Sequence, residues 1–231
     1  MHHLAMDAKI DKTSLEGRAA DWIRNAIISG GIALGQKLTE VNLAEQIGLS
    51  RSTVRAAMQR LVGDGLIIQH PYTGWEVVSL SSHDAWELHT LRSKLEGMAA
   101  RLAAQNIDEP GRHALLKALD RLKTAVADAN PRQVAEMDLQ VHQAIVSISR
   151  HRRLAAQYAL ISGPTLLYIL STNRMMERPD SILPEHEELV EAILQRDADA
   201  AEHRATDHVT VHGQNLVDML RQRESLATAS K

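Results

Sequence analysis

Leu15, Ala19, Trp22, Ile23, Ala26 and Ile27 recur every three or four residues until Gly30–Gly31 breaks the pattern. That period predicts a helix with one apolar stripe. After "ALGQKL", Thr39 is placed to cap a short second helix ending at Ile47, with Leu43, Ala44 and Ile47 inward. Gly48 ends it, and Ser50 caps a third helix that buries Val54, Met58, Leu61 and Val62. Two short helices joined by a glycine turn form a helix-turn-helix. The runs Leu66–Ile68 and Trp75–Val78, either side of "QHPYTG", predict a β-hairpin. Together these elements predict a winged helix-turn-helix over residues 9–79.

From Ser82 onward every periodic stretch has the helical repeat. One helix is predicted from Ser82 to Gln105, on the recurrence of Leu88, Leu91, Leu95, Met98 and Leu102. Others follow over Asp108–Ala129, Pro131–Ser149, Arg152–Thr172, Pro184–Arg196 and Asp199–Gln222, with Pro131 and Pro184 suited to first turns. Six helices of this length predict an antiparallel bundle over residues 82–226. The expected fold is thus mainly α: an N-terminal winged helix-turn-helix and a C-terminal helical bundle.

Composition narrows the function. The net charge of −3 does not mark a nucleic-acid binder, but Leu49–Val62 holds three arginines and no acid, so local charge does. Cysteine is absent, which excludes disulfides, thiolate metal sites and cysteine nucleophiles. No apolar run approaches the length of a membrane span and the first residues lack a signal-peptide core, so a cytoplasmic protein without a membrane partner is expected. Phenylalanine is absent and aromatics are 3%, which argues against base stacking on single strands. Histidine, at 12, is in excess.

If the third helix enters a major groove, its first turns must touch DNA while Val54, Met58 and Leu61 stay in the core. Arg51 and Arg55 then share the exposed face with Ser52 and Gln59. Arginine bridges guanine O6 and N7, and Ser or Thr hydroxyls reach phosphates or bases. Two arginines alone favour a solvated helix; the preceding short helix, the glycine turn and the hairpin turn the balance to DNA.

In the bundle, Asp138 and His142 lie four apart, on the face shared by Val134, Val141 and Ile145. His186 opens a later helix, and His203, His208 and His212 lie on the last one. One carboxylate and three imidazoles suit Zn²⁺ foremost, with Ni²⁺, Mn²⁺ or Fe²⁺ as alternatives. Spacing alone favours the plainer reading of solvated histidines and an ordinary Asp–His hydrogen bond.

The stretch "IRNAIISGGIALGQKLTEVNLAEQIGLSRSTVRAAMQRLVGDGLIIQHPYTGWEVV", residues 23–78, resembles the winged-helix domain of GntR-family repressors. That resemblance implies DNA contacts from Ser50, Arg51, Ser52, Thr53 and Arg55, with Gly74 on the wing. Many relatives carry Arg after the glutamate of the "L.E" motif, where this chain has Val41 after Glu40. From Ser82 the chain is similar to the FCD effector domain of the FadR/VanR branch, through "LHTLRSKLEGMAARLAA", the Asp138–His142 pair and the pattern from Glu185 to His208. The likeness implies a divalent metal on Asp138, His142, His186 and His208, leaving His203 and His212 as surface residues, with His212 a backup beside His208. Val141 and His151 stand where relatives often have Phe and Asn.

It also implies a small organic acid effector, a homodimer, and double-stranded palindromic operator DNA as partners, with release of DNA the commoner response. Arg92 matches a pocket-facing position and is suited to clamp a carboxylate; its other reading is an exposed ion pair with Glu96, worth little. Arg174 is a second candidate of that kind. An Asp/His₃ ion could also serve a hydrolase, but neither Glu185 nor Glu187 is aimed as a general base and a hydrolase has no use for the winged domain. A regulator rather than an enzyme is expected; a purely structural metal is the remaining alternative.

Overall fold

A computed structural model describes residues 14–175 and 182–229, and the chain divides into two compact units at Val77/Val78. In the first, α1 (Leu15–Ser29) starts where the Ser14 side chain accepts from Gly17 N, and stops at Gly30 in a left-handed conformation. α2 (Glu40–Ile47) is capped by Thr39 and closed by left-handed Gly48. α3 (Arg51–Gly63) is capped by Ser50, whose side chain accepts from Thr53 N. Each start thus satisfies an amide that the helix itself cannot.

Strands β2 (Ile67–His70) and β3 (Gly74–Val77) form the predicted hairpin, with Ile67 opposite Val77 and His70 opposite Gly74. A third strand, β1 (Lys37–Leu38), pairs antiparallel with the other edge of β3. Sequence reading treated it as a connector, because two residues are too few to show alternation. Val54, Ala57, Met58 and Leu61 of α3 pack with Ile23, Leu66 and Val77 in a fully buried core. Burying each of the larger side chains there is worth ~1.5–3 kcal/mol. Leu15 and Trp22 are exposed rather than part of the stripe; Ala19, Ala20 and Ile23 form the packed face.

The second unit contains α4 (Ser82–Asn106), α5 (Glu109–Ala127), α6 (Pro131–Ile148), α7 (Arg152–Met175), α8 (Ile182–Leu194) and α9 (Ala198–Ala229). Pro131 follows the Asn130 cap as expected, whereas Pro184 is the third residue of α8. Over Arg152–Asn173, α7 has the length and apolarity of a membrane span, contrary to the expectation that no run approaches it. Its Thr165–Leu170 stretch is nevertheless buried inside the bundle.

The burial of α4 reverses its hydrophobic pattern. Its inward face is Ala85, His89, Arg92, Ser93, Glu96, Gly97, Ala99 and Ala100, while Leu91 and Met98 are 47% and 43% exposed. Helix α4 packs closely on α9: a Cβ on Gly97 would lie 2.5 Å from Thr206 Oγ1, and one on Gly213 would collide with the His89 ring. This close approach admits small residues, and it brings charged ones to the bundle interior.

Candidate metal centre and nucleic-acid interface

Helix α6 presents Asp138 and His142 on one buried face, one turn apart. Helix α8 contributes the buried His186, and α9 contributes His208. One ligand atom from each of these four residues lies within 4.8 Å of the others. Asp138 Oδ1 is 3.1 Å from His142 Nε2 and 3.2 Å from His186 Nε2, and those two nitrogens are 3.4 Å apart.

The far side of each ring is held as well. His186 Nδ1 donates to the Ile182 carbonyl at 2.8 Å, and His208 Nδ1 donates to Glu185 Oε2 at 2.6 Å. His142 Nδ1 lies 2.8 Å from Glu96 Oε2, close enough for an ion pair but at a poor hydrogen-bonding angle. With Nδ1 engaged, Nε2 of His142 and of His186 faces Asp138 Oδ1. Such outer partners fix the tautomer and orientation of metal-binding imidazoles. Asp138 Oδ1 has no hydrogen-bond partner of good geometry among the described residues. A buried anionic oxygen among three imidazoles is balanced either by a proton on one of them or by a metal cation between them. This donor set, without sulfur, fits a divalent ion of the zinc, nickel, manganese or iron class.

Titration behaviour has the same origin. Burial drives the His208 pKa down to about 4, against the pull of Glu185. Burial also opposes charge on His142, yet Glu96 and Asp138 hold its pKa up at about 9. Asp138 stays well below the carboxylate range because His186 and His142 outweigh its burial.

Arg92 is buried, not exposed: its Nε donates to Glu96 Oε1 at 2.8 Å, and its guanidinium lies 5.2 Å from the centre of the Tyr168 ring. The reading of this pair as a weak surface contact is therefore wrong. A cavity of about 20 Å³, room for roughly one water, is lined by Arg92, Asp138, Tyr168, Asn173, His208 and His212. Tyr168 Oη and Asn173 Nδ2 have no hydrogen-bond partner among the described residues. The Arg174 side chain lies outside the described residues. His203 is exposed beside Asp207, as expected. His212 is not a surface residue: it is largely buried and its Nε2 is 2.7 Å from Glu185 Oε2.

Sequence reasoning underrated Glu96 and Glu185 and missed Tyr158, whose hydroxyl donates to Glu96 Oε1 at 3.1 Å. The available signal for Glu185 was its place directly before His186.

In the first unit, Arg51, Ser52 and Arg55 are exposed on α3, opposite buried Val54 and Met58. Ser50 Oγ lies 2.9 Å from Ser52 Oγ and 2.8 Å from Thr53 Oγ1, so three hydroxyls cluster at the helix start. Arg55 Nε donates to Glu40 Oε1 at 2.7 Å. Gly74 opens β3 at φ 102, a conformation that favours glycine at the tip of the wing.

Residues 15–77 match the family model described as bacterial regulatory proteins, gntR family, and residues 87–211 match the FCD domain. The chain belongs to the GntR family of bacterial transcriptional regulators. It is 26% identical over 208 residues to the probable D-xylose utilization operon transcriptional repressor of Paenarthrobacter nicotinovorans, covering 90% of this chain and 91% of that one. It is 28% identical over 205 residues to the transcriptional repressor GlaR of Escherichia coli, covering 85% and 92%. A solved GntR regulator from Rhodococcus has the same fold, with a TM-score of 0.73 at 22% identity, over 88% of this chain and 97% of that one. These relatives are regulators and not enzymes, so the GntR chain is a regulator of transcription and the hydrolase reading falls away.

Proposed function

We propose that this GntR protein is a cytoplasmic repressor whose helical unit holds a divalent metal and senses a small carboxylate there. The carrying observation is the convergence of Asp138, His142, His186 and His208, with an oxygen within 2.8 Å of each imidazole's Nδ1. These four residues are the ligands, and Glu96, Glu185 and the Ile182 carbonyl fix the rings. When bound, the ion supplies positive charge and open coordination positions to an incoming carboxylate.

Arg92 holds that carboxylate's other oxygen, and Tyr168 and Asn173 offer the unused donors beside it. Arg174 is a further effector-binding candidate from the sequence. The unused donors of Tyr168 and Asn173, rather than the one-water cavity they line, favour a sensing role over a purely structural ion. Ser50, Arg51, Ser52, Thr53, Arg55 and Gly74 contact operator DNA, and a homodimer presents two copies of α3 to a palindrome. The effector moves DNA occupancy only by its differential affinity for the bound and free states.

Metal analysis of protein purified without added metal, followed by thermal shift against short carboxylic acids, tests the reading. One ion per chain and a large shift from one acid are expected. An absence of metal together with a flat response to every acid overturns the sensing role.

A further inference from the structure

Glu40, the glutamate of the "L.E" motif, is absent from the DNA contacts assigned above. It opens α2, and its Oε1 accepts from two donors: Arg55 Nε at 2.7 Å and the indole N–H of buried Trp75 at 3.3 Å. One carboxylate thus ties together α2, α3 and the wing strand β3. Arg55 is 65% exposed, and its Nε is its one hydrogen-bonding nitrogen among the described residues.

We propose that Glu40 is a positioning residue for base specificity, fixing Arg55 from behind so that its two terminal nitrogens face a guanine. The proposal rests on reading α3 as the DNA-reading helix. A guanidinium carries five N–H donors in a rigid fork, and bidentate contact with guanine O6 and N7 uses the terminal pair. A carboxylate on Nε therefore does not compete with the base. It selects the orientation in which that pair points away from α2. An unrestrained arginine would meet phosphate or base alike, and phosphate contacts carry no sequence information.

The negative charge acts in the same direction. Near the DNA backbone it weakens sequence-independent binding, which depends on neutralising phosphates. Glu40 thus raises the ratio of specific to non-specific affinity from both sides. Two other roles compete: a favourable charge at the α2 N-terminus, and an anchor for Trp75. Neither links Glu40 to one base position.

The experiment is selection of binding sites from a randomised duplex library by the full chain, run with wild type, Arg55→Ala, Glu40→Gln, Glu40→Ala and Trp75→Phe. Affinity for one unrelated duplex is measured alongside. Arg55→Ala should lose preference at one base position per half-site, by roughly tenfold or more. Both Glu40 variants should weaken preference at that same position while binding the unrelated duplex more tightly. Trp75→Phe, which removes the indole donor but leaves Arg55 held, should select the wild-type motif.

Glu40 variants that enrich the wild-type motif at full strength overturn the proposal. So does a loss spread evenly over all positions, which would mark a structural role. If wild type enriches no motif, the DNA-reading assignment itself fails, a result distinct from either.

Discussion

His186 and Ile182 lie one helical turn apart on α8, and the ring Nδ1 of the first donates to the carbonyl of the second at 2.8 Å. A carbonyl can only accept, so Nδ1 carries a hydrogen, and in the neutral ring the lone pair is then on Nε2, which faces Asp138 Oδ1. A backbone contact has thereby chosen the tautomer that binds metal. The other two rings rely on carboxylates for the same purpose, which makes those carboxylates testable apart from the ligands.

Ligand and outer-partner substitutions should separate by degree. His142→Ala and His208→Ala should each purify with little metal. Glu185→Gln, which spares the ligands but weakens the hold on His208, should lower metal affinity by ~10–100-fold. Competitive titration with a chromogenic chelator measures all three. A full metal complement in both histidine variants would remove the ligand assignment.

Chelation should lower the melting temperature without unfolding the bundle at room temperature. An ion present at a hundred times its dissociation constant stabilises by ~2.7 kcal/mol. For a unit of this size that corresponds to roughly 5–10 °C. Scanning calorimetry with and without chelator reads the shift. Complete loss of the transition would instead assign the metal the structural role weighed above.

Arg92 separates charge from geometry. Arg92→Ala leaves Glu96 buried without its partner, a situation that costs about 3–5 kcal/mol, and should be visibly destabilised. Arg92→Lys keeps the charge but loses the planar fork. It should fold, retain metal, and lose most of the thermal shift produced by the effector acid. An undiminished shift in Arg92→Lys would show that the carboxylate is held elsewhere.

How much of this was readable in sequence depended on whether chemistry followed periodicity. In the winged unit it did: Ser50, Gly48 and the stripe through Val54, Met58 and Leu61 placed α3 and its exposed arginines. In α4 it did not. The leucine repeat marked the helix, but the buried face is the one carrying His89, Arg92 and Glu96. A stripe-based reading assigns polar residues outward, and only the packing of α4 on α6 and α9 reveals that these face other side chains. Glu185 and His212 were hidden for a related reason. Their meeting is between α8 and α9, and no spacing within one helix encodes it.

Substitution of the α3 arginines tests the interface most directly. Arg51 and Arg55 project from α3 on the side opposite its buried residues, so neither Arg51→Ala nor Arg55→Ala removes core volume. Arg51→Ala should melt within about 0.5 kcal/mol of wild type, as surface substitutions usually do, and Arg55→Ala, which also loses the ion pair with Glu40, within about 1 kcal/mol. If each arginine makes a good base contact, each loss should weaken binding to a selected site by about 1–3 kcal/mol. An arginine that touches only phosphate should instead weaken binding to all sequences alike and flatten the salt dependence. Mobility-shift titrations on selected and scrambled duplexes, at two salt concentrations, distinguish these cases. Unchanged affinity for the selected site in both variants would place the DNA-reading surface somewhere other than the start of α3.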